Sequence, residues 1–120
     1  MDLNQFVNTT LSNSGCSLSF NSGVINPPVG YFSAYAGNEL VIKLEDFTLS
    51  KAKVLLLPYL IRNEAALRIQ GNFLGSWISN GLVYVDISKQ FYNEHQCKIA
   101  AIKNKQQSYF DAKNKITIFV

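Results

Sequence analysis

The stretch NFLGSWISNGLVYVDIS, residues 72–88, contains two runs of bulky side chains on either side of Asn80-Gly81. An Asn-Gly pair is the strongest short-range hairpin signal, because both central residues of a type I′ turn have positive φ. Counting outward from this loop gives the opposed pairs Ser79/Leu82, Ile78/Val83, Trp77/Tyr84, Ser76/Val85, Gly75/Asp86 and Leu74/Ile87. The stretch therefore predicts an antiparallel hairpin with a defined register.

Alternation along the two strands assigns their side chains to two faces. The aliphatic face, which we expect to lie on the core, consists of Leu74, Ile78, Val83, Val85 and Ile87 together with Ser76. The opposite face carries Phe73, Trp77, Leu82, Tyr84 and Asp86. This second face is either a binding surface, since Trp and Tyr anchor interfaces, or a second packed layer. In the packed layer, Trp77 and Tyr84 would form a cross-strand pair, and Asp86 would cap a helix or bond the indole nitrogen.

Upstream of the hairpin, the alternating segments 31–36 and 40–44 flank Gly37-Asn38 and predict a second hairpin. A helix should follow from near residue 48, where Thr48 or Ser50 can cap it. Pro58 lacks a backbone donor, so we expect this helix to end near residue 57, with a kinked continuation to residue 63 as the alternative.

Downstream of the hairpin, Ser88 can cap the start of a helix over about residues 92–104. Its inward stripe is either Cys97, Ala100 and Ala101 or Ile99 and Ile102. The remaining residues predict two strands about Lys113-Asn114. The chain of 120 residues is thus predicted to be a single α+β domain. An antiparallel sheet of five to seven strands, built of hairpins, would carry one or two helices on one face.

Residues 1–29 are rich in Asn, Ser, Thr and Gly and predict a loosely ordered N-terminal segment. Alternation over residues 16–20 indicates an edge strand within it, and Pro27-Pro28 indicates a stiff extended connection. The α+β domain proper would then span residues 30–120.

Several classes of protein are disfavoured by composition. No apolar run approaches the 18 residues of a membrane span, and the first residues lack the pattern of a secretory signal. We therefore expect a soluble cytoplasmic protein with no membrane partner. Cys16 and Cys97 predict two free, buried thiols, and the single His95 predicts no metal site. No cofactor is expected.

The sequence contains no phosphate-binding loop, dinucleotide fingerprint, nucleophile elbow or zinc-protease motif. Glu45-Asp46 is better explained as charge at a helix start, and His95 and Cys97 would point apart on one helix. We expect a protein that is not an enzyme. Residues 89–120 carry six lysines and two acidic residues, a charge of +4, against −1 in residues 1–88. A basic nucleic-acid surface made by Lys98, Lys103, Lys105 and Tyr109 is therefore the alternative.

From residue 30 onward, the chain carries a G-x-W…G-x-V-Y-x-D-x-S hairpin and a later Gln followed by aromatic-Asp. The residues are Gly30, Gly75, Trp77, Gly81, Val83, Tyr84, Asp86, Ser88, Gln106, Phe110 and Asp111. In these motifs it resembles small uncharacterised proteins of bacteriophages, plasmids and other mobile elements. The resemblance implies a setting inside a host cell.

Together, these features predict a non-enzymatic mobile-element protein that acts by binding a host or phage protein. Its predicted contact is formed by Phe73, Trp77, Tyr84 and Asp86. By analogy with the mobile-element setting, the role would be inhibition of host defence, of the anti-CRISPR or antirestriction type. Pairing of edge strands would also allow a homodimer.

Overall fold

The structure is a computed structural model that describes residues 2–23 and 29–120. Its helices are α1 (Leu3–Asn13), a 3₁₀ turn (Leu44–Asp46), α2 (Leu49–Arg62), α3 (Glu64–Leu67) and α4 (Glu94–Lys103). Its strands are β1 (Gly15–Leu18), β2 (Tyr31–Ala34), β3 (Leu40–Lys43), β4 (Asn72–Ser79), β5 (Leu82–Phe91), β6 (Ser108–Asp111) and β7 (Ile116–Phe119). The α+β class and the antiparallel sheet are confirmed. The extended connection predicted at Pro27-Pro28 lies outside the described residues.

The hairpin β4–β5 forms the centre of the sheet, whose order is β1-β4-β5-β2-β6-β7 with β3 also paired to β5. Every predicted pair of the hairpin is present, from Ser79 opposite Leu82 to Leu74 opposite Ile87. Asn80 and Gly81 have φ of 52° and 76°, the positive values that a type I′ turn requires. The turn dipeptide therefore fixed both the hairpin and its register.

The predicted hairpin between residues 31–36 and 40–44 is wrong. Both segments are strands, but they pair with β5 instead of with each other. β2 lies along the second half of β5 and β3 along its first half. The ten residues of β5 provide an edge long enough for two four-residue strands, and residues 35–39 bulge out between them. Gly37-Asn38 lies in this bulge and does not close a hairpin.

The aliphatic face of the hairpin lies on the core, as predicted. Leu74, Val83, Val85 and Ile87 are fully buried in one cluster with residues of α1, α2 and α3. On the same face of the sheet, α4 packs Cys97 and Ala101 against Tyr109 of β6. The helices do pack on one face, but the described residues form four of them instead of the predicted one or two.

The N-terminal segment is ordered, so the prediction of a loose start is wrong for residues 3–13. Asp2 caps α1 by accepting a hydrogen bond from the Gln5 amide, and Phe6 and Val7 are fully buried. The Thr10 hydroxyl lies 2.6 Å from that of Ser76, the one polar side chain on the aliphatic face. Tertiary packing thus overrides the weak helix propensity of Asn, Ser and Thr. The strand that follows, β1, forms an edge of the sheet as predicted.

The helix predicted from residue 48 begins as expected, because the Thr48 side chain accepts a hydrogen bond from the Lys51 amide. The favoured ending near residue 57 is wrong, since α2 runs through Pro58 to Arg62. Val54, whose carbonyl would accept from residue 58, is on the solvent side of the helix. Beyond the proline, Tyr59 and Leu60 are buried and hold the last turn on the core.

Pro58→Ala should stabilise the protein by about 1–2 kcal/mol. The alanine restores the amide donor in a helix interior, where proline costs about 3 kcal/mol, while the added freedom of the unfolded chain offsets part of this gain. Urea unfolding followed by circular dichroism measures the difference. An unchanged or lower midpoint would show that Pro58 is accommodated without cost.

The C-terminal elements are close to prediction. α4 spans Glu94–Lys103 with the stripe of Cys97 and Ala101 inward, but its N-cap is Asn93, and Ser88 lies within β5. The two predicted strands are β6 and β7. Both thiols are free and buried, and burial raises the pKa of each to about 12. None of the helices in the described ranges is long and apolar enough to cross a membrane.

Candidate functional site

Two aromatic rings stack on the sheet face opposite the helices. Trp77 of β4 and Tyr84 of β5 are directly paired, with ring centroids 4.3 Å apart and an interplanar angle of 15°. Trp77 is 46% exposed, and Val41 of β3, which pairs with Tyr84, is exposed to the same extent. We call Trp77 and Tyr84 the aromatic platform. It offers a flat and partly exposed apolar surface.

Asp86 lies on the same face, two residues along β5 from Tyr84 and directly opposite Gly75. Its side chain covers this glycine so closely that a Cβ atom on Gly75 would stand 2.7 Å from Oδ1. Burial of the carboxyl group, and secondly the negative charge of Glu39, raise the pKa of Asp86 to about 7. The platform is therefore bordered by an acid that gains or loses its proton near neutral pH.

The bulge between β2 and β3 explains why Asp86 is crowded. β2 ends opposite Ser88 and β3 begins opposite Val85, so on this side of β5 Asp86 lies next to the irregular residues 35–39, while β4 pairs with it on the other side. Exposed Glu39 comes directly before β3. The hydroxyl group of Tyr59 donates to the Asn38 carbonyl and fixes the bulge from the helix side. Burial first, and the Asp86 charge second, raise the pKa of Tyr59.

Phe73 lies on the predicted face but does not belong to the exposed surface. It is 7% exposed, and its ring packs edge-on against Phe32 at a centroid distance of 5.1 Å. Ala112 completes this small buried cluster. Of the four predicted contact residues, the structure brings Trp77, Tyr84 and Asp86 together and places Phe73 beneath the surface.

The observed arrangement agrees in part with each interpretation of this face, the binding surface and the second packed layer. The cross-strand aromatic pair exists, as a packed layer requires. No helix of the described residues covers it, because α1 to α4 all pack on the opposite face. The side chains that cap helices are those of Asp2, Thr48 and Asn93, so Asp86 is not one of the caps. The platform is accordingly supported from below and accessible from outside.

The alternative nucleic-acid residues do not form one surface. Lys98, Lys103 and Lys105 are exposed, but Lys98 and Lys103 are separated by about 140° around α4. Tyr109 is 6% exposed, and its hydroxyl group donates to Glu94 at 2.8 Å. A buried ring on the helix side of the sheet cannot stack on a base.

Two further residues singled out in the sequence, Asp111 and Gln106, shape turns. The Asp111 carboxylate accepts from the backbone amides of Lys113 and Asn114 and from the Asn114 side chain. These bonds, the side-chain bond foremost, lower the pKa of Asp111. The Gln106 backbone N–H donates to the Ala101 carbonyl just beyond the end of α4. The Asp of the aromatic-Asp motif is therefore explained by the β6–β7 turn.

Sequence reasoning did not identify Glu39 as a neighbour of Asp86. The incorrect hairpin of β2 with β3 placed Glu39 at the end of a loop. Sequence reasoning also did not indicate a groove beside α4, lined by Ser33 and Lys89 of the sheet and by Gln96 and Lys103 of the helix. Extending the hairpin register to Lys89 would have placed that lysine on the helix side. Local sequence patterns could not show that α4 and β2 lie beside this lysine.

Comparisons with models of protein families, with curated proteins and with solved structures give no match. Within residues 2–23 and 29–120, no three His, Cys, Asp or Glu side chains are grouped so that they could hold a metal ion. The functional proposal therefore rests on the geometry of the aromatic platform and of Asp86.

Proposed function

We propose that this protein is a non-enzymatic binding protein whose aromatic platform docks on another protein. The supporting observation is the stack of Trp77 on Tyr84, half-exposed and held in register by the central hairpin. Trp and Tyr are the residues that most often contribute binding energy at interfaces, because they bury a large area at a small cost in side-chain entropy. A preformed pair adds rigidity to this advantage.

The partner that fits this surface presents an Arg or Lys side chain within an apolar patch. A guanidinium group stacks on the face of Trp or Tyr, and its charge is attracted to nearby carboxylates. Asp86 and Glu39 provide those carboxylates beside the platform. A cation placed there would stabilise the ionised form of Asp86 and so lower the pKa of this group.

The setting of this proposal comes from the sequence resemblance. A mobile-element protein that occupies the surface of a host protein would act in the cytoplasm of the host cell. Inhibition of a host-defence complex, of the anti-CRISPR or antirestriction type, is the role proposed for it by analogy. A basic partner surface would complement the carboxylates of Asp86 and Glu39 beside the platform.

Trp77→Ala should weaken partner binding by about 2 kcal/mol or more, which is about 30-fold in Kd. Tagged protein is incubated with nuclease-treated lysate of bacterial host cells, and the captured partner is then purified for titration calorimetry. We expect one nuclease-insensitive protein to bind the wild type and to be lost from Trp77→Ala. Trp77→Phe, which keeps a ring on Tyr84, should retain part of the affinity.

Two exposed side chains away from the platform provide matched controls. Tyr92 is 76% exposed in the turn before α4, and Ile61 is 72% exposed on the outer side of α2. Tyr92→Ala and Ile61→Ser should bind like the wild type. Loss of binding in Ile61→Ser with retention in Trp77→Ala would move the interface to α2. Capture that nuclease abolishes, and that Lys98→Gln or Lys103→Gln weakens, would support nucleic-acid binding instead.

A further inference from the structure

A second feature of the molecule is the open edge of β3. This strand, Leu40–Lys43, pairs with β5 on one side and with no other strand in the described part of the chain. Its other side presents backbone N–H and C=O groups to which a further strand can bind. We propose that β3 pairs with β3 of a second copy of this chain, antiparallel and about a two-fold axis through Val41.

The backbone of β3 determines which residues can take part in this pairing. The Leu44 N–H donates to the Gly81 carbonyl at the start of β5, and successive residues of a strand direct their backbone groups to alternate sides. The even-numbered residues of β3 therefore bond β5, whereas Val41 and Lys43 direct their N–H and C=O groups to the open edge. An antiparallel strand can bind this edge without disturbing the pairing of β3 with β5.

The charges along this edge are complementary to themselves. Glu39, Val41 and Lys43 are exposed and share one face, because side chains alternate along a strand. The Cα atoms of Glu39 and Lys43 are about 13 Å apart along the strand, and neither residue forms an ion pair within the described part of the chain. In an antiparallel pair centred on Val41, Glu39 of each copy lies directly opposite Lys43 of the other. Unlike charges in opposed positions stabilise a sheet.

Other pairings lose this match of charges. Sliding one copy by two residues would oppose Val41 to Lys43 or to Glu39 and leave charges without partners. A parallel pair in register would bring each charge beside its own kind, which is destabilising. The strands at the two ends of the sheet, β1 and β7, contain no charged residue. Charge complementarity therefore points to a second copy at β3, in one register.

The same pairing joins the aromatic platforms of the two copies into one surface. Val41 lies opposite Tyr84, and Tyr84 lies opposite Trp77, so the three side chains share the face away from the helices. A two-fold axis between antiparallel strands is perpendicular to the sheet and keeps this face of both copies on one side. The two Tyr84 residues would be about 14 Å apart, which is three strand spacings, with both Val41 side chains between them. Asp86 lies one strand further in and remains available to a basic partner. Pairing of two copies does not depend on the docking function proposed above.

Sedimentation velocity at increasing protein concentration tests the pairing. We expect an equilibrium between monomer and dimer with a Kd on the order of 100 µM, because one short strand makes an interface at the small end of the usual range. Glu39→Lys and Lys43→Glu should each raise this Kd by about tenfold or more, since both substitutions place like charges opposite one another. A wild type that stays monomeric up to about 1 mM would overturn the proposal.

A mixture of the two charge variants tests the register directly. In a mixed pair, the two lysines of the Glu39→Lys variant lie opposite the two glutamates of the Lys43→Glu variant. The equimolar mixture should therefore dimerise at concentrations where each variant alone is monomeric. Lys98→Glu, which makes the same change of charge on α4, is the matched control and should dimerise like the wild type. A mixture that stays monomeric, or an equal loss in Lys98→Glu and Lys43→Glu, would overturn the pairing.

A proline variant tests the role of the backbone. Val41→Pro removes an N–H that points to the open edge and leaves the bonds to β5 in place, a position where strands tolerate proline. It should remain folded by circular dichroism and lose the dimer, whereas Val41→Thr, which keeps the N–H, should retain it. Dimerisation of Val41→Pro with the wild-type Kd would contradict pairing through β3. Loss of the dimer in Ile61→Ser with retention in Val41→Pro would place the contact on α2 and overturn the proposal.

Discussion

Gly30→Ala should destabilise the protein by about 2–5 kcal/mol. Gly30 has a φ of 93°, in the region that L-residues avoid, and its added Cβ atom would stand 2.9 Å from the Phe91 carbonyl oxygen. Backbone strain of this kind costs about 1–3 kcal/mol, and overpacking adds a similar amount. The contact is with backbone at the end of β5, so no side-chain rotation can relieve it. Urea unfolding measures the change.

Gly37→Ala separates the two causes of this loss. Gly37 also has a positive φ, of 77°, but an added Cβ atom there would meet no other atom within 4 Å. This variant should lose only the conformational part, about 1–2 kcal/mol. If both variants lose the same amount, the close approach of residue 30 to β5 contributes nothing, and the register of β2 on β5 would need revision.

The central hairpin was predictable because its information is local. Asn80-Gly81 fixes the turn, and alternation on either side sorts the aliphatic from the aromatic face, so the pairing of Trp77 with Tyr84 followed from the sequence. The Thr48 cap also located the start of α2, and the sequence pattern located α4 to within a few residues. Phe73 shows the limit of this reasoning, since its face was correct but its burial depends on Phe32 from a distant strand.

The incorrect predictions concern features that depend on contacts between residues distant in sequence. Local signals predict that β2 and β3 pair with each other, but both strands pair with the long β5 instead. Residues 3–13 have low helix propensity, and only burial of Phe6 and Val7 in the core makes them a helix. The same applies to Asp86. The sequence placed it in the notch of Gly75, while its crowded position opposite the β2–β3 bulge and near Glu39 required the full topology.

Asp86→Asn should stabilise the protein above neutral pH by up to about 4 kcal/mol. The pKa of Asp86 is raised from 3.8 to about 7 in the folded protein. Between these values the unfolded chain releases the proton while the folded protein retains it, so stability falls as the pH rises from about 4 to about 7. The whole cost, about 1.4 kcal/mol for each pKa unit, is present at pH 8. Asparagine has the same shape and carries no charge, so it avoids this cost.

Urea unfolding at pH 5 and pH 8 measures this effect as a difference between wild type and variant. The gain should be larger at pH 8 than at pH 5. Asp111→Asn provides a control of opposite sign, because the pKa of Asp111 is lowered by its bonds to the β6–β7 turn. That variant should lose stability at neutral pH, and its loss should diminish in acid. Equal stability of Asp86→Asn and wild type at pH 8 would show that the Asp86 carboxyl group is hydrated in solution.

If the platform binds a basic partner, the residue Asp86, which lowers stability, would contribute to that binding. A cation beside the carboxylate would favour the ionised form of Asp86, so the partner should bind the deprotonated protein more tightly. Wild-type affinity should therefore rise between pH 6 and pH 8. Asp86→Asn should bind more weakly and show no such rise, although it is the more stable protein. A group that lowers stability while it strengthens binding is expected at functional sites. Weaker binding by the wild type at pH 8 than at pH 6 would contradict a basic partner at this surface.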